Sequence, residues 1–258
     1  NNLVSFYNDL NLTHSKILTI ITDYKSHQWW IANHKNENGF IVANEIVKNE
    51  LVNIGVSPNK IFPYGLPVNP NIDSALKDKD AILKEYNLSG QRPILLFFGG
   101  GSVGSMAYFD YFKIVAKQNY NFDLIFICGK NEKLKAKCDK FIKSKNIKNV
   151  KVLGFTTDVF NLMKISDAVI SKAGGATVTE CLEMNVPMII IPGYGGQEKY
   201  NERFMLKKHF AFRVKTYFGL KRIVKKVSKN PILLKRIKLR MIKNDKNNSV
   251  IKICKLVD

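Results

Sequence analysis

Apolar residues in this chain fall into short, nearly continuous runs separated by polar or glycine-bearing breaks. Runs of this length, rich in β-branched residues, read as strands buried on both faces of a parallel sheet. The pattern predicts strands over 16–23 (KILTIITD), 39–43, 61–64, 93–98 (PILLFF), 123–129, 150–155, 168–170, 186–191 and 212–214. Apolar positions at helical spacing predict helices over 45–54, 78–88, 105–118, 131–145, 159–165, 177–184 and 199–209. Strand and helix alternate throughout, which defines an α/β chain with parallel sheets. The polar stretch 68–80, which holds Pro70, reads as a linker.

Two of the breaks follow a strand and open a helix. The first is Gly99-Gly100-Gly101-Ser102-Val103-Gly104, and the second carries Gly174 and Gly175 ahead of Ala176 and Thr177. Strand, glycine, helix is the layout of a phosphate site: glycine admits close backbone approach, and the first free N–H groups of the helix face the anion. A third break, PGYGG over 192–196, leads into Gln197, Glu198 and Asn201 at the carboxyl end of a strand, where open α/β sheets bind ligands. His27, Trp29, Trp30 and His34 crowd another strand end and either line a cleft or divide into a Trp pair packed between domains and solvated histidines.

Bland readings stand beside these. Thr177 and Glu180 match a capping box, and Gly174-Gly175 an ordinary tight turn. Phe155 is either core or a ligand-facing residue, with Asp158 as a helix N-cap. Asp78-Lys79-Asp80 matches a D-x-D metal motif but opens a helix, where acidic residues suit the dipole. Gly99, Gly101 and Gly104 fit G-x-G-x-x-G, yet no acidic residue ends the strand 123–128 to hold a dinucleotide ribose. That disfavours a dehydrogenase.

With 258 residues, 45% hydrophobic and 24% charged, the chain is an ordinary globular protein able to bury a full core. No apolar run approaches the ~20 residues of a spanning helix, no signal peptide opens the chain, and the missing initiator Met suggests a fragment. Cys128, Cys138, Cys181 and Cys254 show no C-x-x-C pair and no metal-ligand spacing, so reduced cysteines in a cytosolic compartment are expected. Net charge is +16 over 199–258 but only +4 before it. Few aromatics interleave with the basic residues and no nucleic-acid motif appears, which argues against that partner. Leu233, Ile237 and Met241 repeat at helical spacing among lysines and arginines, as in a helix lying on an anionic membrane or packed on its own domain.

The string K-x-G-G-x-T-x-x-E, a P-x-x-x-x-P strand and G-Q-E-x-x-N resembles the donor half of GT-B glycosyltransferases. With TDY-x-x-HQWW, IVANEIVKNEL and GLPVNP upstream, the chain looks most like the glycolipid synthases that move a sugar from a UDP-sugar to diacylglycerol. The peptidoglycan GlcNAc transferase is a more distant relative. The resemblance implies two Rossmann-like parallel-sheet domains: residues 1–68 as a partial first domain, and 69–258 as a UDP-sugar-binding domain. It implies inverting hexose transfer to a membrane lipid without a metal, by a protein peripheral on the cytoplasmic face of the membrane.

By the same resemblance, Gly100, Gly101 and Ser102 approach the diphosphate opposite Gly174, Gly175, Ala176 and Thr177. Phe155 and Thr156 flank uracil, Glu180 holds the ribose, and Gln197 and Glu198 hold the hexose with Asn201 in support. The family's proposed base, a His on an early glycine-rich loop, has no counterpart here, which leaves His27 and Asp23 as candidates. Alternatives are a lipid-linked GlcNAc transferase, a UDP-sugar-binding half completed by a separate chain, and a UDP-sugar epimerase.

Overall fold

The computed structural model describes residues 2–27, 30–31, 34–69, 72, 76–100, 108–118, 120–193, 195–243 and 249–257. The first unit is a parallel sheet of β1 (Leu18–Ile20), β2 (Gly39–Ile41) and β3 (Ile61–Phe62), in that order, with α1 (Asn2–Asp9) ahead of it. Its strands pair over less than the apolar runs suggest, because β3 offers only two residues to its neighbour. Between β2 and β3, α2 (Glu45–Asn53) is started by Asn44, whose Oδ1 accepts from the Ile46 and Val47 N–H groups at 3.0 and 3.1 Å. Gly55, at φ +95°, turns the chain after it.

The second unit opens with α3 (Lys79–Glu85). The Asp78 carboxylate accepts from the Asp80 N–H at 2.9 Å, so the D-x-D string is a helix start. A six-stranded parallel sheet follows: β4 (Ile94–Phe98), β5 (Asp123–Ile127), β6 (Val150–Leu153), β7 (Ala168–Ser171), β8 (Met188–Ile190) and β9 (Ala211–Arg213). Connecting helices are α4 (Tyr108–Ala116), α5 (Glu132–Ser144), α6 (Val159–Ile165), α7 (Gly175–Glu183) and α8 (Gly196–Lys207). The chain ends in α9 (Tyr217–Lys229), α10 (Ile232–Ile242) and α11 (Ser249–Val257). Successive strand residues feed opposite faces, as the pleat requires. Leu96, Ile125 and Val169 join one hydrophobic cluster; Leu95, Phe97, Phe126 and Ile170 join the other.

Strand order is β6-β5-β4-β7-β8-β9. The chain works outward on one side from β4 and on the other from β7, which lie side by side with Leu95 opposite Ala168. A crevice opens at the carboxyl ends of such a strand pair, at the topological switch point. Both glycine-bearing breaks fall there.

The cluster holding Leu96 and Val169 runs on into Ile21, Phe40 and Val42 of the first sheet, so the two units share one core face. The last helix returns to the first unit, its buried Ser249 Oγ donating to the Leu66 carbonyl at 2.9 Å. That helix lies beyond the helical segments expected from the sequence. Cys128, Cys138 and Cys181 are buried free thiols and Cys254 an exposed one. Among the described residues no helix is long and apolar enough to cross a membrane.

Candidate functional site

Helix α7 begins at Gly175, with Gly174 as N-cap in extended backbone (φ −67°, ψ 144°) and no side chain accepting from the first turn. The capping-box alternative is therefore not formed: Thr177 is already helical, so its hydroxyl is not at the cap position. The opening N–H groups lack the side-chain acceptor that normally satisfies them and point beyond the end of β7. Nothing lies within 4 Å of where a Gly174 side chain would begin, and Ala176 is exposed. Gly175 does not serve as a tight turn either. A Cβ there would overlap the Thr22 carbonyl oxygen and lie 3.1 Å from Asp23 Oδ1. It is glycine so that the end of the first unit's β1 segment can rest on the helix start.

One turn into α7, Glu180 is half-buried, and burial pushes its carboxyl above its ordinary value. No hydrogen-bond or ion-pair partner meets it among the described residues. A carboxylate desolvated without a partner is costly unless a ligand supplies donors.

Across the crevice, the Gly99 N–H donates to the Ile127 carbonyl at 2.8 Å and Gly100 adopts φ +82°. A Cβ on Gly100 would lie 2.5 Å from the Tyr108 ring, so glycine is required there for both conformation and space. Gly101 and Ser102 lie outside the described residues. Beyond β6, Phe155 is 64% exposed, which removes the core reading, and Lys130 Nζ lies over its ring, 5.4 Å from the centroid. Thr156 Oγ1 accepts from the Asp158 N–H at 3.0 Å. The expected Asp158 side-chain cap is not made. Its carboxylate instead accepts from the Tyr86 hydroxyl at 2.8 Å and the Asn161 amide at 2.7 Å.

The first turn of α8 carries the polar cluster. Gln197 is exposed. Glu198 pairs through Oε1 with Lys172, the residue that follows β7, while its buried Oε2 has no hydrogen-bond partner among the described residues. That oxygen packs on Gly193, where any side chain would overlap it. A cavity of about 230 Å³ lies beside it, lined by Gly193, Gly195, Glu202, Arg213 and Lys215 among others.

Asn201 differs from the expectation. It is fully buried, its Oδ1 accepts from the Tyr24 N–H at 2.8 Å, and its Nδ2 donates to Asp23 Oδ1 at 2.8 Å and the Ala173 carbonyl at 3.0 Å. Both amide protons are committed, so Asn201 fastens the two units and does not reach a sugar. Asp23 is corrected with it: its carboxylate is buried against the Asn201 amide and is not presented as a base. Tyr24 completes the junction, with its hydroxyl 3.1 Å from Thr179 Oγ1 and its ring stacked on Phe204 at 4.3 Å. Burial pushes the Tyr24 phenol above its usual range.

His27 is exposed, and its carbonyl accepts from the Trp30 N–H at 3.0 Å. His34 Nδ1 lies 3.1 Å from the Ile31 carbonyl oxygen. Trp29 is outside the described residues. Sequence reasoning missed Lys172, although it is the first letter of K-x-G-G, missed Tyr24, whose only signal was the TDY string, and missed Thr179. No metal-binding cluster of His, Cys, Asp and Glu exists among the described residues.

Two parallel-sheet units with a glycine-flanked crevice at the switch point define a GT-B-like α/β protein. MurG of Acinetobacter baumannii shares the fold with a TM-score of 0.71 at 15% identity, over 98% of this chain and 69% of that one. S. aureus MnaA, solved with UDP, shares it at 0.73 and 15%, over 98% and 70%.

The glycosyltransferase family 28 C-terminal domain matches residues 94–252, and the monogalactosyldiacylglycerol synthase family matches 9–68. The chain belongs to glycosyltransferase family 28. The processive diacylglycerol beta-glucosyltransferase of Bacillus subtilis is 31% identical over 72% of this chain and 47% of its own length, so the chain spans about half of that relative.

Proposed function

We propose that this chain binds a UDP-sugar in the switch-point crevice and takes part in inverting transfer of its hexose to a diacylglycerol-type lipid. The observation that carries this is the half-buried Glu180 carboxylate, without a partner among the described residues, one turn above a helix start that no described side chain caps. In this reading residues 69–258 form the donor side and 1–68 part of the acceptor side. As the anomeric bond breaks, negative charge grows on the leaving diphosphate. The first N–H groups of α7 and the Gly100 backbone stabilise it without a metal. Gly101 and Ser102 retain the role the resemblance gives them.

Phe155 and Thr156 flank the base, and Glu180 accepts from ribose hydroxyls. Glu198, oriented by Lys172, accepts from the hexose, with Gln197 beside it. His27, the exposed titratable group after β1, takes the acceptor proton. Lipid as acceptor places the protein on a membrane surface, at its cytoplasmic face, with the basic C-terminal region toward anionic lipid.

Diacylglycerol is favoured over a lipid-linked cell-wall precursor because the B. subtilis relative, matched at 31%, carries that name, whereas MurG shares the fold at 15% identity. The test is UDP release from UDP-glucose and UDP-galactose with diacylglycerol vesicles. Release that requires the vesicles and yields a glycolipid supports the reading. Consumption of UDP-sugar without acceptor points to epimerisation or hydrolysis and overturns it. UDP binding without transfer means a separate chain must supply the acceptor half.

A further inference from the structure

Between Glu202 and Asp245 the chain carries 15 lysines and arginines and no acidic residue. On α9 these charges are sorted. Leu220, Val224, Val227 and Ser228 are buried, while Phe218, Lys221, Arg222, Lys225 and Lys229 are exposed at i, i+3, i+4, i+7 and i+11, one continuous stripe of the helix. Phe218 is 78% exposed, the most exposed large apolar side chain among the described residues. It is not a frayed end. Thr216 caps the helix, its Oγ1 accepting from the Gly219 N–H at 3.1 Å, and the neighbouring Tyr217 ring packs on Tyr111 at 4.5 Å. A fixed first turn therefore holds a phenylalanine out into solvent at the head of a row of four cations.

The position of this turn gives it meaning. Helix α9 leaves from the carboxyl end of β9, and Lys215, just before it, lines the same cavity as Gly193 and Glu198. The turn thus lies on the edge of the sheet where the crevice opens. Tyr111 belongs to α4, which follows β4 and the Gly99–Gly100 break on that same edge.

We infer that the head of α9 is a membrane-seating element: Phe218 enters the headgroup boundary of a bilayer while Lys221, Arg222, Lys225 and Lys229 meet anionic phospholipid headgroups. The inference rests on the reading above that the acceptor is a lipid, and it adds the surface and the orientation. An exposed aromatic backed by cations suits an interface in which apolar burial and headgroup charge act together. It seats the donor crevice facing the bilayer, so that a lipid hydroxyl reaches the hexose without leaving the membrane. Nucleic acid fits the charge but not the pattern, since a single aromatic gives no series of stacking platforms.

The test is co-sedimentation of the chain with vesicles of phosphatidylglycerol mixed into phosphatidylcholine, against pure phosphatidylcholine, with UDP binding measured on every variant. The parent is expected to prefer the anionic vesicles. Phe218→Ser and the pair Lys221→Glu/Arg222→Glu are each expected to lower partitioning about tenfold while UDP binding stays unchanged. In Phe218→Trp, fluorescence should shift to the blue on anionic vesicles relative to the parent's own tryptophan signal.

Parent-like partitioning by both variants, equal binding to neutral vesicles, or no vesicle binding at all overturns the inference. So does tight, salt-sensitive DNA binding by a chain indifferent to vesicles. Intact UDP binding in those cases leaves the donor-site reading standing, whereas vesicle binding without UDP binding removes that reading and keeps this one.

Discussion

Asn201 Nδ2 donates to Asp23 Oδ1 at 2.8 Å, joining residues 178 positions apart, and Asn201 is fully buried where it does so. Its Oδ1 meanwhile accepts from the Tyr24 N–H. One amide thus fixes how the end of β1 sits on the start of α7, and so sets the wall of the crevice. Asn201→Ala leaves a buried carboxylate and a buried N–H without their partner, and is expected to cost about 2–4 kcal/mol of stability in denaturant unfolding. A loss within the error of a surface substitution would contradict this role.

The two adjacent glycines after β7 should behave differently. Gly174→Ala meets open space at an ordinary negative φ and is expected to change stability by less than about 0.5 kcal/mol. Gly175→Ala drives a methyl group into the Thr22 backbone carbonyl and is expected to cost about 1–3 kcal/mol. Thermal unfolding of the pair checks this, and equal effects would mean that the two units do not meet at Gly175.

Burial raises the Glu180 carboxyl from its ordinary 4.5, so the folded chain holds this proton more tightly than the unfolded chain does. The stability this group contributes is fully present below 4.5 and is lost as pH rises through the folded value. Glu180→Gln removes that slope: the variant should match the parent in acid and exceed it in thermal midpoint at neutral pH. UDP affinity should run the other way, rising with pH through the same window as the carboxylate ionises. A parent whose stability and UDP affinity are both flat across that window would refute the assignment.

Glu198 separates sugar from nucleotide. With Oε1 on Lys172 and Oε2 without a partner among the described residues, it faces the hexose in the function proposed above. Glu198→Gln is expected to leave UDP affinity within about twofold while weakening UDP-hexose about tenfold, the scale of one hydrogen bond to a charged group. Equal loss for both ligands would place Glu198 on the nucleotide or in the scaffold.

The sheet-forming runs and their alternation with helices were legible because the central strands β4, β5, β7 and β8 are buried on both faces and read as nearly unbroken apolar sequence. The family string located the crevice. The start of α7 was misread because the capping box is a local signal, satisfied in spelling by Thr177 and Glu180, whereas the helix starts two residues earlier. That earlier start depends on Thr22, far away in sequence, resting on Gly175. Asn201 was misassigned for the same reason: its partners Asp23 and Tyr24 are 178 and 177 positions distant, and nothing local shows that its amide is already committed. Phe155 was open between core and ligand-facing because its spelling suits either, and its exposure removes only the core reading.

The central claim is that the crevice takes the nucleotide of a UDP-sugar through Glu180 and the open start of α7. Calorimetric titration of the chain with UDP, with Glu180→Ala beside it, tests this most directly. UDP is expected to bind the parent, and the substitution to weaken binding about 10- to 100-fold, the equivalent of about 1.5–3 kcal/mol. A folded parent that does not bind UDP, or a variant that binds it equally well, would contradict the account.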